Sequence, residues 1–394
     1  MPTRRWIIHL DLDAFFCAVE EQRDPGLCGV PFAVGGRPEG RGVVSSCSYA
    51  ARAYGVRSAM SMAQAIKTCP GLVVVPPYFP AYREASQKVM KILGEISPLV
   101  EQISIDEAFL DVSEVPVQVE DLASRLQERI REGLGLPNSV GIAANKLIAK
   151  IATDVGKMTA QKGMPPNAIT IVQPGTEAAF LADLPVQMLW GVGPKTAAKL
   201  GELGVRKIGD LANAPEIELI RRFGKNGYDL SQRARGIDNR PIVTEHEAKS
   251  ISQEVTYARD VRDPAVLHRT LGKQADHLAA QLQKQGLKAR TVKIKLRWPN
   301  FDTLTRQSTL EQPTDEAQII NHNGRKLFDY LWQPGKQVRL LGLGVSGLDS
   351  APKQIGLWDV DWETEYKIQD VLADIREKYG EDALSRGFTA SPKE

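Results

Sequence analysis

The chain has 394 residues, 42% of them apolar and 25% charged, enough for several domains and ordinary for globular proteins, which excludes a disordered or collagen-like chain. No run approaches the roughly 18 apolar residues of a spanning helix. The apolar run after Arg4 and Arg5 is broken by His9, Asp11 and Asp13, so neither an integral membrane protein nor a signal peptide is expected.

The net charge of +2 is unevenly spread. Residues 1–183 carry 18 Lys and Arg against 20 Asp and Glu, residues 184–350 carry 26 against 18, and residues 351–394 carry 6 against 10. A polyanionic partner is expected for the middle alone, although solvated faces would explain the charge equally well. Cys17, Cys28, Cys47 and Cys69 form no CxxC pair, so a reducing cytoplasm is expected rather than disulfides or zinc.

Residues 6–12 (WIIHLDL) read as a buried strand running into acidic residues, followed by helical spacing at Phe15 and Val19. Strands are expected at 31–35 and 42–47, and short helices at 48–54 and 61–68. A longer helix follows at 81–96. Residues 103–112 read as two β-type runs interrupted by Asp106 and Glu107, 119–133 as helix, 138–143 as strand and 145–156 as helix. The alternation makes the first ~165 residues an α/β or α+β unit around a sheet. Residues 157–167 form a loop, 175–236 read as short helices without strands, and 236–247 as a linker. From 249 the order is strand (249–258), helix (264–285), strands (290–298, 303–311), helix (315–332) and strand (338–347). That is the βαββαβ plan of a four-stranded sheet backed by two helices.

Asp11 ends the first strand, and Asp106 and Glu107 lie 95 residues later in another β-type segment. Three carboxylates emerging from strands of one sheet offer hard oxygen ligands that suit Mg²⁺ and a two-ion phosphoryl displacement. Alternation opposes this, because Asp106 and Glu107 would point to opposite faces of a regular strand unless the chain bends there. It also puts Asp13 on the face of Asp11 as a candidate supporting residue.

With their neighbours these residues resemble the Y-family translesion DNA polymerases, DinB branch. The matching text is His9-Leu-Asp-Leu-Asp-Ala-Phe-Phe-Cys-Ala-Val-Glu-Glu21, Val34-Gly-Gly36, Ser48-Tyr-Ala-Ala-Arg-Ala-Tyr-Gly-Val-Arg-Ser-Ala-Met60, Ser104-Ile-Asp-Glu-Ala-Phe-Leu-Asp111 and Gly141-Ile-Ala-Ala-Asn-Lys-Leu-Ile-Ala-Lys150, in that order. The resemblance covers the chain through about residue 348. It implies a multidomain α/β and α+β right hand: palm (1–12 and 79–167), fingers (13–78), thumb (168–237), linker (238–248), little finger (249–350) and tail (351–394). Asp11, Asp106 and Glu107 match the family's catalytic metal ligands, joined by the backbone carbonyl of Leu12. Two Mg²⁺ ions are implied, replaceable by Mn²⁺. Phe16 matches the steric gate that excludes a ribose 2′-hydroxyl. Ser46, Tyr49, Arg52 and Lys157 match the contacts to the incoming triphosphate. Lys157 is followed by Met158 where the family has proline, and Lys162 is the alternative for its role.

Gly191-Val-Gly193-Pro-Lys195 resembles the helix–hairpin–helix turn that binds a DNA phosphate through backbone amides. Lys293, Lys295 and Arg297 alternate along one strand and would share a face able to track a phosphate backbone. Gln354, Ile355, Leu357 and Trp358 resemble a sliding-clamp docking peptide. These readings imply template-directed, low-fidelity synthesis across damaged DNA from dNTPs on a primer-template, without a proofreading exonuclease, by a cytoplasmic monomer. Two rivals remain from the residues alone: a non-catalytic DNA-binding scaffold, and another two-metal enzyme such as a nuclease or nucleotide cyclase.

Overall fold

The computed structural model describes residues 5–159, 161, 163–245 and 247–349. They form two compact units that divide near residue 247. Among the described residues no helix is long and apolar enough to cross a membrane.

The first unit is built on a five-stranded sheet in the order Val100–Gln102, Glu107–Asp111, Ile7–Leu12, Asn138–Ala143, Ile169–Ile171. The central strand Ile7–Leu12 is buried on both faces. Ile8, Leu10 and Leu12 pack into one core with Val89 and Leu93 of the helix Phe79–Ile96 and Leu122, Leu126 and Ile130 of Val119–Leu134. On the other face Ile7 and Phe109 meet Leu147, Ile148 and Ile151 of the helix Lys146–Met158. Each such fully buried Leu or Ile contributes about 1.5–3 kcal/mol, so the sheet is clamped from both sides.

Gly141 is what lets the helix Lys146–Met158 lie so close. A Cβ at Gly141 would come within 2.5 Å of both the backbone nitrogen and Oγ1 of Thr153. The helix starts on Asn145, whose side chain accepts the Ile148 N–H at 3.0 Å.

The fingers region carries a three-stranded sheet, Val44–Cys47, Phe32–Gly35 and Val73–Val75, with helices Tyr49–Ala53 and Met62–Thr68. Five short helices from Glu177–Ala182 to Lys225–Ala234 then form the thumb region. The expected elements are largely present. Three strands fall outside the expected spans: Val73–Val75, parallel to Phe32–Gly35; Val100–Gln102, which stands where a β-type run was expected only from 103; and Ile169–Ile171, which joins the first sheet past the expected limit at 167. All three are three-residue edge strands, too short for a period-2 signal.

The expected linker is not free over its first part. The Asn145 side chain donates to the Gly236 carbonyl at 2.9 Å, and Asp238 accepts the Leu147 N–H at 3.1 Å. Arg240 binds Asp238 and lies 4.6 Å over the Trp190 ring, and the Val243 N–H donates to Glu101 at 2.8 Å.

The second unit has the expected βαββαβ order: Ser250–Val261, Pro264–Lys284, Lys288–Arg297, Thr303–Thr314, Ala317–Leu331 and Val338–Asp349. Its sheet runs Thr303–Thr314, Lys288–Arg297, Val338–Asp349, Ser250–Val261.

Candidate active site

Asp11 and Glu107 are direct cross-strand partners in the antiparallel pair at the centre of the first sheet. Partners in such a pair share a face. Asp106 sits one rung further, its carbonyl accepting the Leu12 N–H at 3.0 Å. The conflict with alternation is resolved by a bend: the strand begins only at Glu107, and residues 104–106 turn before it. Ser104 holds that turn. Its hydroxyl donates to Asp106 Oδ1 at 2.6 Å and accepts the backbone N–H of Asp106 (3.2 Å) and Glu107 (3.0 Å).

Past Leu12 the chain turns sharply into the helix Phe15–Arg23 through Ala14, a left-handed residue with φ 46°. Asp13, in that turn, is fully buried. It accepts hydrogen bonds from the Ser139 hydroxyl (2.8 Å) and the Asn167 N–H (3.2 Å).

Two lysines from the helix Lys146–Met158 reach these carboxylates. Lys150 and Lys157 are seven residues apart, two helical turns, and so share a face. Lys150 Nζ lies 3.2 Å from Glu107 Oε2. Lys157 Nζ is bound to Asp11 and lies 3.2 Å from Asp13. Burial pushes the Asp11 carboxyl up to about 7, against the opposing pull of Lys157 and with added repulsion from Glu107 and Asp106. Glu107 is held down to about 2, chiefly by His9 facing it and then by Lys150, in spite of burial. Burial works against the Lys157 ammonium, yet Asp11 and Asp13 hold it above the usual lysine value.

Asp11, Asp106 and Glu107 therefore lie at one end of two paired strands, Asp11 and Glu107 each paired with a lysine and Asp106 with the Ser104 hydroxyl. Among the described residues no three His, Cys, Asp or Glu side chains are gathered tightly enough to hold a metal ion. The donor set nonetheless suits a divalent cation. It consists of carboxylate oxygens, and the place between Asp11 and Asp13 already takes a positive charge in the form of Lys157.

The nucleotide-contact candidates lie close by. Phe16 stacks on Tyr82 with ring centroids 4.3 Å apart. Ser46 is buried beside Cys17. Arg52 lies 4.6 Å over the Tyr49 ring, so the two do face the same way. The Tyr49 hydroxyl is pushed well above its ordinary pKa, first by burial and then by the charges of Asp13 and Asp11. Lys162 and the 354–358 motif lie outside the described residues.

Of the DNA-contact candidates, Gly191 has φ 96° and Gly193 precedes the helix Pro194–Gly201. In the second unit Val292, Ile294 and Leu296 are buried, while Lys293, Lys295 and Arg297 take the opposite face of their strand. Lys295 is paired with Glu254 at 2.9 Å across Gly342, and Arg297 Nε donates to Thr303 at 2.8 Å.

Four residues of this neighbourhood have no role in the sequence-based expectation: His9, Tyr82, Lys150 and Thr153. His9 was legible in principle, since it lies two residues before Asp11 and so on the same strand face. Tyr82, Lys150 and Thr153 come from helices whose docking no local pattern encodes.

The impB/mucB/samB family model matches residues 10–154, the family's C-terminal domain matches residues 248–357, and the IMS family HHH motif matches residues 174–205. The chain is 38% identical to DNA polymerase IV of Streptococcus mutans over 92% of this chain and 98% of that one. It is 39% identical to DNA polymerase IV of Dehalococcoides mccartyi over the whole of both. With DNA polymerase IV of Streptomyces coelicolor the identity is 42%, over 88% of this chain and 72% of the relative. Among solved structures, a Y-family DNA polymerase chimera of Dbh and Dpo4 matches with a TM-score of 0.77 and 26% identity, over 87% of this chain and 99% of that one. An insertion ternary complex of Dbh DNA polymerase matches with a TM-score of 0.62 and 27% identity, over 86% and 98%.

A palm sheet with acidic strand ends, a fingers region, a helical thumb and a βαββαβ module define a DNA-directed DNA polymerase, a nucleotidyltransferase dependent on divalent cations. The chain belongs to the impB/mucB/samB family, the Y-family polymerases of the DNA polymerase IV kind, which carry out translesion synthesis.

Proposed function

We propose that Asp11, Asp106 and Glu107, with the backbone carbonyl of Leu12, are the ligands of two divalent cations, Mg²⁺ in the cell and Mn²⁺ as a substitute. When bound, such ions make a hydroxyl more acidic and neutralise charge on departing phosphate oxygens. The carrying observation is the Asp11–Glu107 register with Asp106 bonded one rung away, beside a cation place now taken by Lys157.

The chain's own residues then orient the substrates. Arg52, with its planar donor fork, and the Tyr49 hydroxyl hold the β- and γ-phosphates of the incoming nucleotide, with Ser46 beside them. Lys157, released from Asp11 and Asp13, adds a point charge to the same phosphates. Phe16 forms a wall against the sugar, so deoxynucleotides are taken and ribonucleotides refused. The primer 3′-hydroxyl attacks the α-phosphate, and pyrophosphate leaves. Gly191, Gly193 and Lys195 grip a DNA phosphate, and Lys293, Lys295 and Arg297 track the backbone further along, without reading bases.

Small residues over the nascent pair (Gly36, Val43 and Ala59) leave an open site, supported by the exposed Val43. That openness fits low fidelity and damaged templates. The 354–358 motif is proposed to dock on a sliding clamp. The chain is proposed to act as a monomer, and a reducing cytoplasm is in keeping with the four free cysteines.

The test is primer extension by Asp106→Ala. Losing about 4 kcal/mol of transition-state stabilisation lowers incorporation roughly 10³-fold while DNA affinity stays within a few-fold. Retained incorporation overturns the assignment.

A further inference from the structure

His9 precedes Asp11 by two residues on the strand Ile7–Leu12, so both side chains take the same face of the sheet. The His9 ring is fully buried and tilted against Phe109, with centroids 4.8 Å apart. Its strand partner on the other side is Gly141, which leaves the room that Thr153 fills. Nδ1 of His9 lies 2.8 Å from the Thr153 hydroxyl, closer than either carbonyl that the hydroxyl could serve (Ala149 at 3.2 Å, His9 at 3.3 Å). Nε2 has no hydrogen-bond partner among the described residues and faces Glu107 Oε2 at 3.6 Å.

These contacts decide the tautomer. A lone pair at Nε2 would face a carboxylate oxygen in a buried place, which is repulsive, whereas an N–H there is attracted. The proton therefore sits on Nε2, and Nδ1 accepts from the Thr153 hydroxyl. At 3.6 Å the Nε2 contact is electrostatic, and a small rotation of the Glu107 side chain closes it to a hydrogen bond. Lys150 holds the same Oε2, at 3.2 Å. Both protein donors thus act on one oxygen of Glu107 and leave Oε1 to other partners.

We propose that His9, oriented by Thr153, is a positioning residue that holds Glu107 Oε2 so that Oε1 is presented to the divalent cation. The inference rests on the reading of Glu107 as a metal ligand. Metal-ligating carboxylates are commonly fixed by such hydrogen bonds, whose loss costs about 10–100-fold in metal affinity.

The test measures Mn²⁺ binding without chemistry. The full chain is mixed with a dideoxy-terminated primer-template and the matching dNTP, and free Mn²⁺ is read by electron paramagnetic resonance. His9→Leu is expected to weaken binding about 10–100-fold, while His9→Gln, which keeps an N–H at similar reach, stays within about threefold of the parent. A folded His9→Leu protein within about threefold of the parent overturns the proposal, as does His9→Gln falling as far as His9→Leu. If His9→Leu does not melt cooperatively, Thr153→Val decides: weakened Mn²⁺ binding supports the proposal, and unchanged binding overturns it. Glu107→Gln, at the ligand on which the inference rests, separates the two levels. If it weakens Mn²⁺ binding and His9→Leu does not, only the role of His9 falls; if it too leaves binding unchanged, the ligand reading falls with it.

Discussion

The ring of Phe16 lies nearly parallel on that of Tyr82, with planes 11° apart, and the Tyr82 hydroxyl donates a 2.5 Å hydrogen bond to Glu20. Glu20 is buried and also holds Arg23 at 2.6 Å. Phe16 is thus backed by a platform that is anchored by charge and packed from below. Phe16→Ala opens space beside the sugar without disturbing that platform. Discrimination against ribonucleotides is expected to fall by about 100-fold or more, read from single-turnover incorporation of paired rNTP and dNTP substrates. Unaltered discrimination would remove Phe16 from the gate.

Lys157 answers the charge of a fully buried Asp13 as well as that of Asp11. Lys157→Ala is expected to cost about 1–3 kcal/mol, less than a wholly buried pair because the lysine is partly exposed. Millimolar Mg²⁺ should then raise the Tm of the variant more than that of the parent, since a cation can enter the vacated place. Thermal melts with and without Mg²⁺ decide it, and equal shifts would mean that ammonium and metal do not compete.

Burial alone would push the Asp238 carboxyl up, but Arg240 and the Leu147 N–H hold it below the usual carboxylate value. Its folded-state pKa is therefore lower than its unfolded one. The stability it contributes is complete above the unfolded value of about 3.9 and is lost as pH falls through the folded value. Asp238→Asn should cost about 1–3 kcal/mol at pH 7 and less at pH 3, which lies below the unfolded value, so that the parent has begun to lose the same contribution. Urea unfolding at the two pH values measures the difference, and an equal cost at both would refute it.

Gly141 stands where the helix Lys146–Met158 touches the sheet, and a Cβ there would collide with Thr153 and the Ala149 carbonyl. Backbone atoms cannot swing aside as a side chain can. Gly141→Ala is expected to destabilise by about 1–3 kcal/mol or more and to weaken polymerisation, because the same helix carries Lys150 and Lys157. A variant with the parent's Tm would show that the helix has slack.

Much of this was legible in the residues. The βαββαβ module is written in long periodic runs, and its six elements fall close to their expected limits. The strand Asn138–Ala143 matches its expected span because Ser, Val and Ile alternate between turn-forming neighbours. Edge strands of three residues were not legible, since so few positions cannot distinguish a period of 2 from chance. Nor was the bend at 104–106, which depends on one serine hydroxyl closing on two backbone amides. The anchoring of residues 236–243 is not legible for a related reason: Asp238 and Arg240 read as a polar linker until Leu147 and Trp190 are beside them.

By itself the chain's order of residues marked out the longer elements, the βαββαβ module and three candidate acids, because periodicity and motif text are local properties. Only the tertiary structure decided that Asp11 faces Glu107, that Lys157 stands between Asp11 and Asp13, and that His9 and Thr153 meet beneath Glu107. Those relations join residues up to 146 apart, through strand register and through a helix admitted by a missing Cβ, and such distances are set by packing rather than by any local pattern.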